Sequence, residues 1–543
     1  MTRVCRPQTQ STSPAGRGLA PDHVPATHPG AQLSVTPPES RYFPAPIRFT
    51  PQVEIAKRHL NGLWACFAVL LAALALPGAA TAQPGALDST FGDAGRSAAE
   101  IGESAPNWSG TGPGPTLRPS PYGDEVHLAT APDSSFVVAR GNLLLRFLPD
   151  GQLDPNFGEA GKLAISSVEG LPFGLSDIAF DSEGRILVFG TTVDPSISRF
   201  SYGYSIGEVS PSFVTVLRLD PTGEFDPSFG NGNGVFRDGL GLSPTRNVPA
   251  DIPLVETASA ELDSQGRAVI AVGKVGFPPS VRSTPGWVVD ALVRLTPSGA
   301  LDSSFGGGDG IVEGILRGPR GGRLFGGFCI SASDEPIVAS SEFTFPEGKA
   351  EEEEHAPGWL LRLRASGTPD RSFGQHGIAY AHGGVGALAC TPSGRLFTLQ
   401  GPDFFPHNDR SSWRVVRRSA NGRVDTAFGR RVVVELHGRY SALTSLAVDG
   451  RGRILIAGTL RLEKRNGKGT RSFFTVFRLL PSGRLDRRFG HGGWVRTGFG
   501  QSADVNVSAT AIDVSGRLIV AGGARAPWLQ PSGIVMARYL LGR

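Results

Sequence analysis

Arginine and aspartate recur together along this sequence at a constant spacing. In each case the arginine precedes the aspartate by eight residues, with a glycine between them. Opposite charges across so short a hairpin can meet in a charge-assisted hydrogen bond. A catalytic site does not need several copies of itself, so we interpret the pairs as structural. They are Arg146 with Asp154, Arg218 with Asp226, Arg294 with Asp302, Arg362 with Asp370, Arg417 with Asp425, and Arg478 with Asp486.

A phenylalanine and a glycine follow each aspartate in a motif that occurs seven times. Its phenylalanines are 55 to 76 residues apart. An aspartate can accept a hydrogen bond from the backbone two residues on, the glycine permits a positive φ, and the phenylalanine can fill the space between repeats. Repetition at this scale is typical of a solenoid, a propeller or an array. The motifs begin at Leu87, Leu153, Phe225, Leu301, Pro369, Val424 and Leu485.

The segments around each motif predict β-strands. The clearest is SATAIDVSGRLIVAGG from Ser508, where two alternating apolar stretches flank a glycine-containing turn, the pattern of a β-hairpin. A third strand ends in the arginine, and a short fourth strand follows the turn. Four antiparallel strands per unit, without helical periodicity, predict a propeller blade.

The two ends of the chain contain complementary halves of one blade. Asp88 and Arg538 occupy the motif positions in these halves. A strand from Gly95 to Ile101 can therefore complete a blade whose other strands lie between Val507 and Leu541. We predict an all-β fold: a seven-bladed β-propeller of four-stranded antiparallel blades, closed by pairing of the N- and C-terminal strands.

The repeated signature R-h-x-x-x-G-x-L-D-x-x-F-G-x-x-G, followed by a D-x-x-G-R-h-h-h-x-G hairpin, resembles the delta-60 repeat of secreted and surface bacterial β-propellers. The resemblance covers nearly all of the chain from Gly85 to Arg543. It implies a fold and an exported location, and no settled activity. Two departures predict altered turns: the repeat from Ser419 lacks the glycine after Phe-Gly, and Asp334 replaces an expected turn glycine.

Residues 53–82 have the parts of a secretory signal peptide. A basic flank, an apolar run and the sequence Ala80-Thr81-Ala82 follow one another. We predict cleavage after Ala82, an extracellular or periplasmic location, and a propeller over residues 83–543. A buried core helix is the alternative for the apolar run.

The upstream segment, residues 1–52, is rich in Pro, Ser, Thr and Ala. We predict that it is disordered, or that translation begins near Val53 and the segment is not made. Without residues 1–82 the chain has 46 basic and 46 acidic residues. This balance argues against nucleic acid as a partner, because no excess charge displaces counterions from phosphates. We expect a monomer without a transmembrane span in the mature chain.

Cys329 and Cys390 remain after the predicted processing, near equivalent positions of neighbouring repeats. They lack the C-x-x-C spacing of a metal site. We predict two independent buried thiols, with one bridge between them as the alternative.

Length differences between the repeats fall in two connections, from the second to the third strand and from the fourth strand to the next blade. These lie on one side of a propeller, the loop face, and the tight turns lie on the other, the turn face. Variable loops commonly bind partners, so we predict a binding site for an unknown protein or glycan on the loop face. Solvated loops with aromatic side chains sealing their base are the alternative. The candidates are Phe200, Tyr202, Tyr204, Phe343, Phe345, Glu352, Phe404, Phe405, Asp409 and Trp413.

An enzyme is the second functional hypothesis, namely a metal-dependent hydrolase or lyase acting in the central channel. Near the innermost strands the sequence offers His127 and His382. A zinc or iron site needs about three converging ligands. We therefore predict no metal, no cofactor and a binding function rather than catalysis.

Overall fold

The computed structural model describes most of the chain after residue 82. The described ranges are 83–101, 126–196, 198–202, 205–241, 255–276, 286–315, 322–344, 354–381, 383–401, 410–428, 432–437, 441–464, 469–500, 503–526 and 529–542. The upstream segment 1–52 and the signal peptide 53–82 lie outside the described residues, so both remain predictions.

Strands make up the regular structure of the described ranges, apart from one 3-10 turn at Thr426–Phe428. In chain order they are β1 (Arg96–Ile101), β2 (Val126–Thr130), β3 (Phe136–Arg140), β4 (Leu143–Phe147), β5 (Lys162–Ala164), β6 (Ser167–Val168), β7 (Leu171–Phe180), β8 (Ile186–Val193), β9 (Ser198–Tyr202), β10 (Ser205–Val209), β11 (Ser212–Leu219), β12 (Val235–Asp238), β13 (Val255–Leu262), β14 (Ala268–Gly276), β15 (Gly286–Leu295), β16 (Ile311–Glu313), β17 (Gly322–Ile330), β18 (Pro336–Thr344), β19 (Glu354–Arg362), β20 (Ile378–Tyr380), β21 (Val385–Cys390), β22 (Leu396–Gln400), β23 (Arg410–Arg418), β24 (Val432–His437), β25 (Ala442–Val448), β26 (Ile454–Glu463), β27 (Thr470–Leu479), β28 (Trp494–Thr497), β29 (Asp504–Ile512), β30 (Arg517–Ala526) and β31 (Leu529–Leu540).

These strands form seven antiparallel blades, which confirms the predicted all-β propeller. Blades 1 to 7 are β2–β5, then β7 with β8, β11 and β12, then β13–β16, β17–β20, β21–β24, β25–β28, and β29–β31 with β1. The first strand of each blade contacts the first strand of the next, and β29 contacts β2, so the blades close into a ring. Blade 2 also carries the short β6, and β9 pairs with β10 as a separate hairpin.

Apolar residues dominate the second strand of each blade, because neighbouring blades cover both of its faces. In β3 and β22 every residue is buried. Apolar clusters therefore lie between successive blades. One of them, for example, joins blade 6 to blade 7. The ring has a core at each blade junction rather than one central core.

The ring closes at a seam between the first and last strands. β1 pairs with β31 in antiparallel register from Arg96 opposite Ala537 to Ile101 opposite Ser532. The turn beside the seam is built from both chain ends: the Gly85 N–H donates to the Leu540 carbonyl at 2.7 Å. We call residues 541–542 together with 83–95 the seam turn. The predicted closure by two half-blades is confirmed.

The prediction of an altered turn at Asp334 is wrong. Asp334 adopts a φ of 58°, and its N–H donates to Ser331 at 3.0 Å, as Gly184 donates to Asp181 at 3.1 Å in blade 2. Aspartate tolerates this left-handed conformation better than most residues. Its carboxylate also accepts hydrogen bonds from Ser264 of blade 3, at 2.9 Å. The other predicted departure, at residues 429–431, lies outside the described residues.

The prediction of two independent thiols is also wrong, because Cys329 and Cys390 form a disulfide. Both residues lie at the ends of first strands, in β17 and β21, and these strands are neighbours in the ring. Their Cα atoms are 5.9 Å apart, within the range that a disulfide spans. The bridge therefore joins blade 4 to blade 5.

Candidate functional site

The turn after each third strand holds an arginine–aspartate pair, and blade 2 shows its geometry. Arg218 donates from Nε to Oδ2 of Asp226 and from Nη2 to Oγ of Ser228, both at 2.7 Å. Its Nη1 donates to the carbonyl oxygen of Pro297 in blade 3 at 2.5 Å. The guanidinium carbon also lies 4.8 Å from the ring centroid of Phe229. One arginine thus orders its own turn and joins it to the next blade.

The aspartate and the phenylalanine of the motif have equally local contacts. Asp226 Oδ1 accepts hydrogen bonds from the N–H and the hydroxyl of Ser228 at 2.9 and 2.7 Å, which is an Asx-turn. Phe229 packs against Gly299 of blade 3, where an added Cβ would lie 2.8 Å from the ring. Gly299 also has a φ of +84°, so both space and conformation require glycine there.

The same pairing continues around the ring. The Nε to Oδ2 distances are 2.7 Å for Arg294 with Asp302, 2.9 Å for Arg362 with Asp370, 3.0 Å for Arg417 with Asp425, 2.9 Å for Arg478 with Asp486, and 2.9 Å for Arg538 with Asp88 across the seam. In each case Nη1 donates to a backbone carbonyl of the following blade. We call these pairs, with the pair of blade 2 and that of blade 1, the turn ring.

Blade 1 has the loosest pair of the turn ring. Arg146 Nε lies 3.3 Å from Asp154 Oδ2 and is buried without a hydrogen-bond partner. Its Nη2 instead contacts Ser135 at 3.3 Å and Asp133 at 3.8 Å. The Nη1 link to the next blade, at the carbonyl oxygen of Pro221, is retained.

The surroundings of five of the turn aspartates favour their charged form. Burial raises the pKa of Asp302, but the hydrogen bonds from Ser304 and the charge of Arg294 outweigh it, so the pKa lies below its ordinary value. The same balance of burial against hydrogen bonds and arginine charge lowers the pKa of Asp88, Asp226, Asp370 and Asp425. The arginine–aspartate pairs therefore stabilise the turns, and their contacts leave no carboxylate oxygen available to a substrate.

The loop-face candidates are placed only in part. Phe200 and Tyr202 lie in β9, and Phe343 lies in β18, but the structure describes only their backbone. The remaining candidates except Trp413 lie outside the described residues: Tyr204, Phe345, Glu352, Phe404, Phe405 and Asp409.

Trp413 is not part of an exposed binding surface. It lies in β23, is only 6% exposed, and packs in the apolar cluster between blades 5 and 6. Its indole lies against Gly401, where an added Cβ would be 3.1 Å from Nε1. The sequence placed Trp413 at the end of a long insertion, but the strand that follows begins early enough to bury it.

A cavity of about 400 Å³ lies beside the first strands of blades 1, 2 and 3. It is lined by Ala129 of β2, by residues 177–180 of β7 and by residues 259–262 of β13. All of these lie in the last four positions of their strands, which places the cavity toward the turn-face end of the channel.

Polar side chains join the three blades at this cavity. His127 Nδ1 lies 3.8 Å from Asp177 Oδ1. Asp177 Oδ2 accepts hydrogen bonds from the Ser259 hydroxyl at 2.9 Å and the Ala260 N–H at 3.0 Å. A histidine, a carboxylate and a hydroxyl thus follow one another across two blade junctions, an arrangement that can bind a polar ligand or exchange a proton.

Glu261, like Asp177, is an ionisable group of the cavity that the sequence did not single out. Its Oε2 accepts a hydrogen bond from the Ile330 N–H of blade 4 at 2.9 Å. Burial, with the nearby charge of Asp177, raises the pKa of Glu261 to about 7. The residue is visible in the repeats, because the equivalent first-strand position is Ala129, Ala179, Ala389, Ala447 or Ala511 in five other blades.

Among the described residues, no group of three His, Cys, Asp or Glu side chains is arranged to hold a metal ion. These residues therefore provide no ligand set for a metal-dependent site. His382 lies outside them. In the described part of the chain, no helix has the length and apolar character needed to cross a membrane.

Comparison with known proteins gives one short sequence match. The family "Domain of unknown function (DUF5122) beta-propeller" matches residues 288–305, which span most of β15 and the turn through Phe305. No curated protein sequence matches the chain significantly.

Comparison with solved structures gives matches at low sequence identity. A gluconolactonase from Xanthomonas campestris is 12% identical, with 61% of this chain and 82% of that chain covered and a TM-score of 0.29. Drosophila semaphorin 2a is 8% identical, with 75% and 72% covered and a TM-score of 0.39. The Cps50 (Swd1) β-propeller domain of Myceliophteria thermophila is 11% identical, with 76% and 96% covered and a TM-score of 0.35. The sheet topology shows that this chain has a β-propeller fold.

Proposed function

We propose that this protein is an exported β-propeller that binds a protein or glycan partner through its loop face. The observation that carries the proposal is the contrast between the two faces. On the turn face, the turns between first and second strands span four or five residues in every blade. On the loop face, the connections between second and third strands span from 2 residues in blade 1 to 18 in blade 2, where the hairpin β9–β10 is added. Variable loops on a constant frame are the usual construction of a binding surface.

Export is supported by the disulfide between Cys329 and Cys390. Disulfides persist in oxidising compartments such as the periplasm and the extracellular space. N-terminal sequencing of secreted protein tests this part directly. The first residue should be Gln83, and intact protein confined to the cytoplasm would contradict export.

Binding is tested with the purified protein on a glycan and peptide array. A hit should then be lost when residues 198–209 are replaced by a short Gly-Ser linker, or in the double variant Tyr202→Ala/Phe404→Ala. Glu159→Gln, which changes an exposed residue of the turn face, is the matched control and should bind normally. A hit that survives both loop changes would contradict the proposed surface.

A second candidate function, a hydrolase or lyase acting in the channel, is favoured by Glu261. A carboxyl group with a pKa of about 7 beside a cavity is suited to accept and donate protons near neutral pH. In a general hydrolase screen, an activity lost in Glu261→Gln and retained in Glu159→Gln would favour this candidate. Metal analysis of the same protein would tell whether the activity needs a metal.

A further inference from the structure

The turn face carries exposed charges of both signs, and each sign occupies its own part of the ring. Seven exposed carboxylates lie in the turns of blades 1 to 3 and in the seam turn, and we call them the acidic arc: Asp93, Asp133, Asp150, Glu159, Glu183, Glu224 and Asp309. Eight exposed arginines lie in the turns of blades 4 to 6, and we call them the basic arc: Arg364, Arg371, Arg395, Arg423, Arg451, Arg484, Arg487 and Arg488. Among the described turn residues, the acidic arc contains no exposed Lys or Arg and the basic arc contains no exposed Asp or Glu.

The fold does not require this separation. Glu224 of blade 2 occupies the same position of the repeated turn as Arg423 of blade 5 and Arg484 of blade 6, directly after the turn glycine. All three are exposed, and the inward-facing pairs of the turn ring hold the turns whichever charge stands there. The sign of the outer charge therefore varies with the sector of the ring and not with the needs of the turn.

Exposed apolar side chains accompany the charges. Six large apolar residues are exposed among the described residues, and four of them lie in turns of the turn face: Phe225, Val424, Leu485 and Val514, at 44, 51, 37 and 67% exposure. Phe225 lies in the acidic sector, whereas Val424 and Leu485 lie in the basic one. A molecule bound to the turn face would remove these side chains from water.

We infer that the turn face binds a second copy of this chain. A two-fold axis lying in the plane of this face, along the boundary between the arcs, places the acidic arc of each copy over the basic arc of the other. The contact is then self-complementary, as a two-fold dimer requires. It uses the face that the proposed binding function leaves free, so that two loop faces point outward.

A second copy explains both arcs, whereas other occupants explain one. An anionic polymer or membrane would be attracted by the basic arc and repelled by the acidic arc beside it. A cationic partner would be attracted by the acidic arc and repelled by the basic arc. Only an occupant with both charges, arranged in the same two sectors, meets both arcs, and this chain itself is such an occupant.

Mass measurement at two salt concentrations tests the inference. Exposed charges interact over a Debye length of roughly 30 Å at 0.01 M salt and roughly 3 Å at 1 M. By analytical ultracentrifugation, the purified chain should form dimers at the low concentration and dissociate at the high one, with the dissociation constant rising at least about tenfold. A chain that is monomeric at every protein concentration in low salt overturns the inference.

Charge reversal provides a sharper test. The variant Arg487→Glu/Arg488→Glu makes the face more uniformly acidic, and Glu159→Lys/Glu224→Lys makes it more uniformly basic. Each variant alone should be monomeric, and an equimolar mixture of the two should form heterodimers. Glu100→Lys/Glu463→Lys, which changes two exposed carboxylates away from the turn face, is the matched control and should dimerise as the unaltered chain does.

Two results would overturn the arrangement. Dimerisation of either variant alone, with no gain on mixing, would place the contact elsewhere. Retention of the monomeric protein on a heparin column, lost in Arg487→Glu/Arg488→Glu, would assign the basic arc to an anionic polymer instead.

Discussion

The blades of this propeller are joined at two levels, and the chemistry of the two levels differs. In the turn ring, an arginine meets an aspartate of its own blade and a carbonyl of the next, for example in Arg218 and Arg294. At the first strands, five junctions have contacts that differ from one another. We call these the channel contacts: His127 with Asp177, Asp177 with Ser259, Glu261 with Ile330, Cys329 with Cys390, and Ser445 with Thr510.

The repeated contacts of the turn ring are required by the fold, whereas the channel contacts are particular to this protein. The turn ring repeats because every blade must be fixed to the next in the same geometry, and one solution serves all of them. The channel contacts vary because backbone pairing and the apolar clusters already hold the first strands, so their side chains are less constrained. New function is therefore expected where the repeats differ, in the channel and on the loop face.

The largest expected effect comes from opening the ring at the seam. Deleting Gly85 to Ile101 removes β1 and leaves β31 as an unpaired edge, and it removes Asp88, the partner of Arg538. We expect loss of cooperative unfolding and aggregation, because an exposed strand edge pairs with other chains. Light scattering and thermal unfolding measure both. A monomeric deletion variant with an unchanged melting temperature would contradict the need for closure.

The next effect concerns the covalent channel contact. The variant Cys329→Ala/Cys390→Ala removes a bridge between residues 61 positions apart, and we expect a loss of about 2–4 kcal/mol in the free energy of unfolding. Alanine occupies the position of Cys329 in five other blades, so the packing change at that position is small. A reducing agent should lower the melting temperature of the unaltered protein and leave that of the variant unchanged. Equal sensitivity of both would indicate that the bridge contributes nothing.

Two positions of the turn ring provide a matched pair. Asp486→Ala leaves the buried Arg478 without its carboxylate, and we expect a loss of about 1–3 kcal/mol. Asp425→Ala removes the same partner from Arg417, but the Asp425 side chain is 29% exposed against 9% for Asp486. The loss there should be smaller, since water replaces part of the interaction. Equal losses in urea unfolding would show that burial does not set the strength of these pairs.

The last effect depends on pH and has opposite signs in the turn ring and in the channel contacts. The native pKa of Glu261 is about 7, above its ordinary value of 4.5, so the native state binds the extra proton and its stability falls as pH rises from about 5 to 8. Glu261→Gln should therefore gain about 1–3 kcal/mol at pH 8 relative to the unaltered chain and little at pH 5. Urea unfolding at the two pH values measures this difference, and an equal effect at both would rule out titration of Glu261.

Asp302 of the turn ring behaves in the opposite way. The pKa of Asp302 is lowered in the native state, so its contribution is present above its ordinary pKa and is lost as pH falls through the native value. Acid should therefore weaken the pairs whose aspartates have a lowered pKa, whereas a rise in pH through about 7 should destabilise the protein because it leaves a buried charge on Glu261.

The sequence was sufficient to predict the seven-bladed fold, because its pattern of strands and turns repeats. The constant spacing of Arg218 to Asp226 predicted a hairpin, and the complementary half-blades predicted the seam before any strand was placed. Asp334 shows the limit of this reasoning: its turn was predicted to differ, yet aspartate takes the left-handed conformation of the missing glycine. Whether one residue can adopt this left-handed conformation depends on that residue and its surroundings, and it leaves no repeating pattern in the sequence.

The contacts in the channel were predicted poorly because they, too, have no repeating pattern in the sequence. Cys329 and Cys390 meet because their strands are adjacent in the ring, and nothing in their spacing distinguishes a bridge from two separate thiols. His127 was considered as a metal ligand, but its neighbour in the structure is Asp177. Glu261 could have been found as the one carboxylate in a column of small residues, once the repeats were aligned strand by strand.

The seam also fixes an order of events during folding. β1 and β31 pair residues more than 400 positions apart in the chain, so β1 must wait until β31 has been synthesised. Each of blades 1 to 6 is made from one continuous stretch of the chain and can form as it emerges, whereas blade 7 cannot be completed until β31 has been synthesised. Contacts of such long sequence separation form slowly. Closure of the ring is therefore expected to be the slow final step, and β1 needs protection from other chains until it occurs.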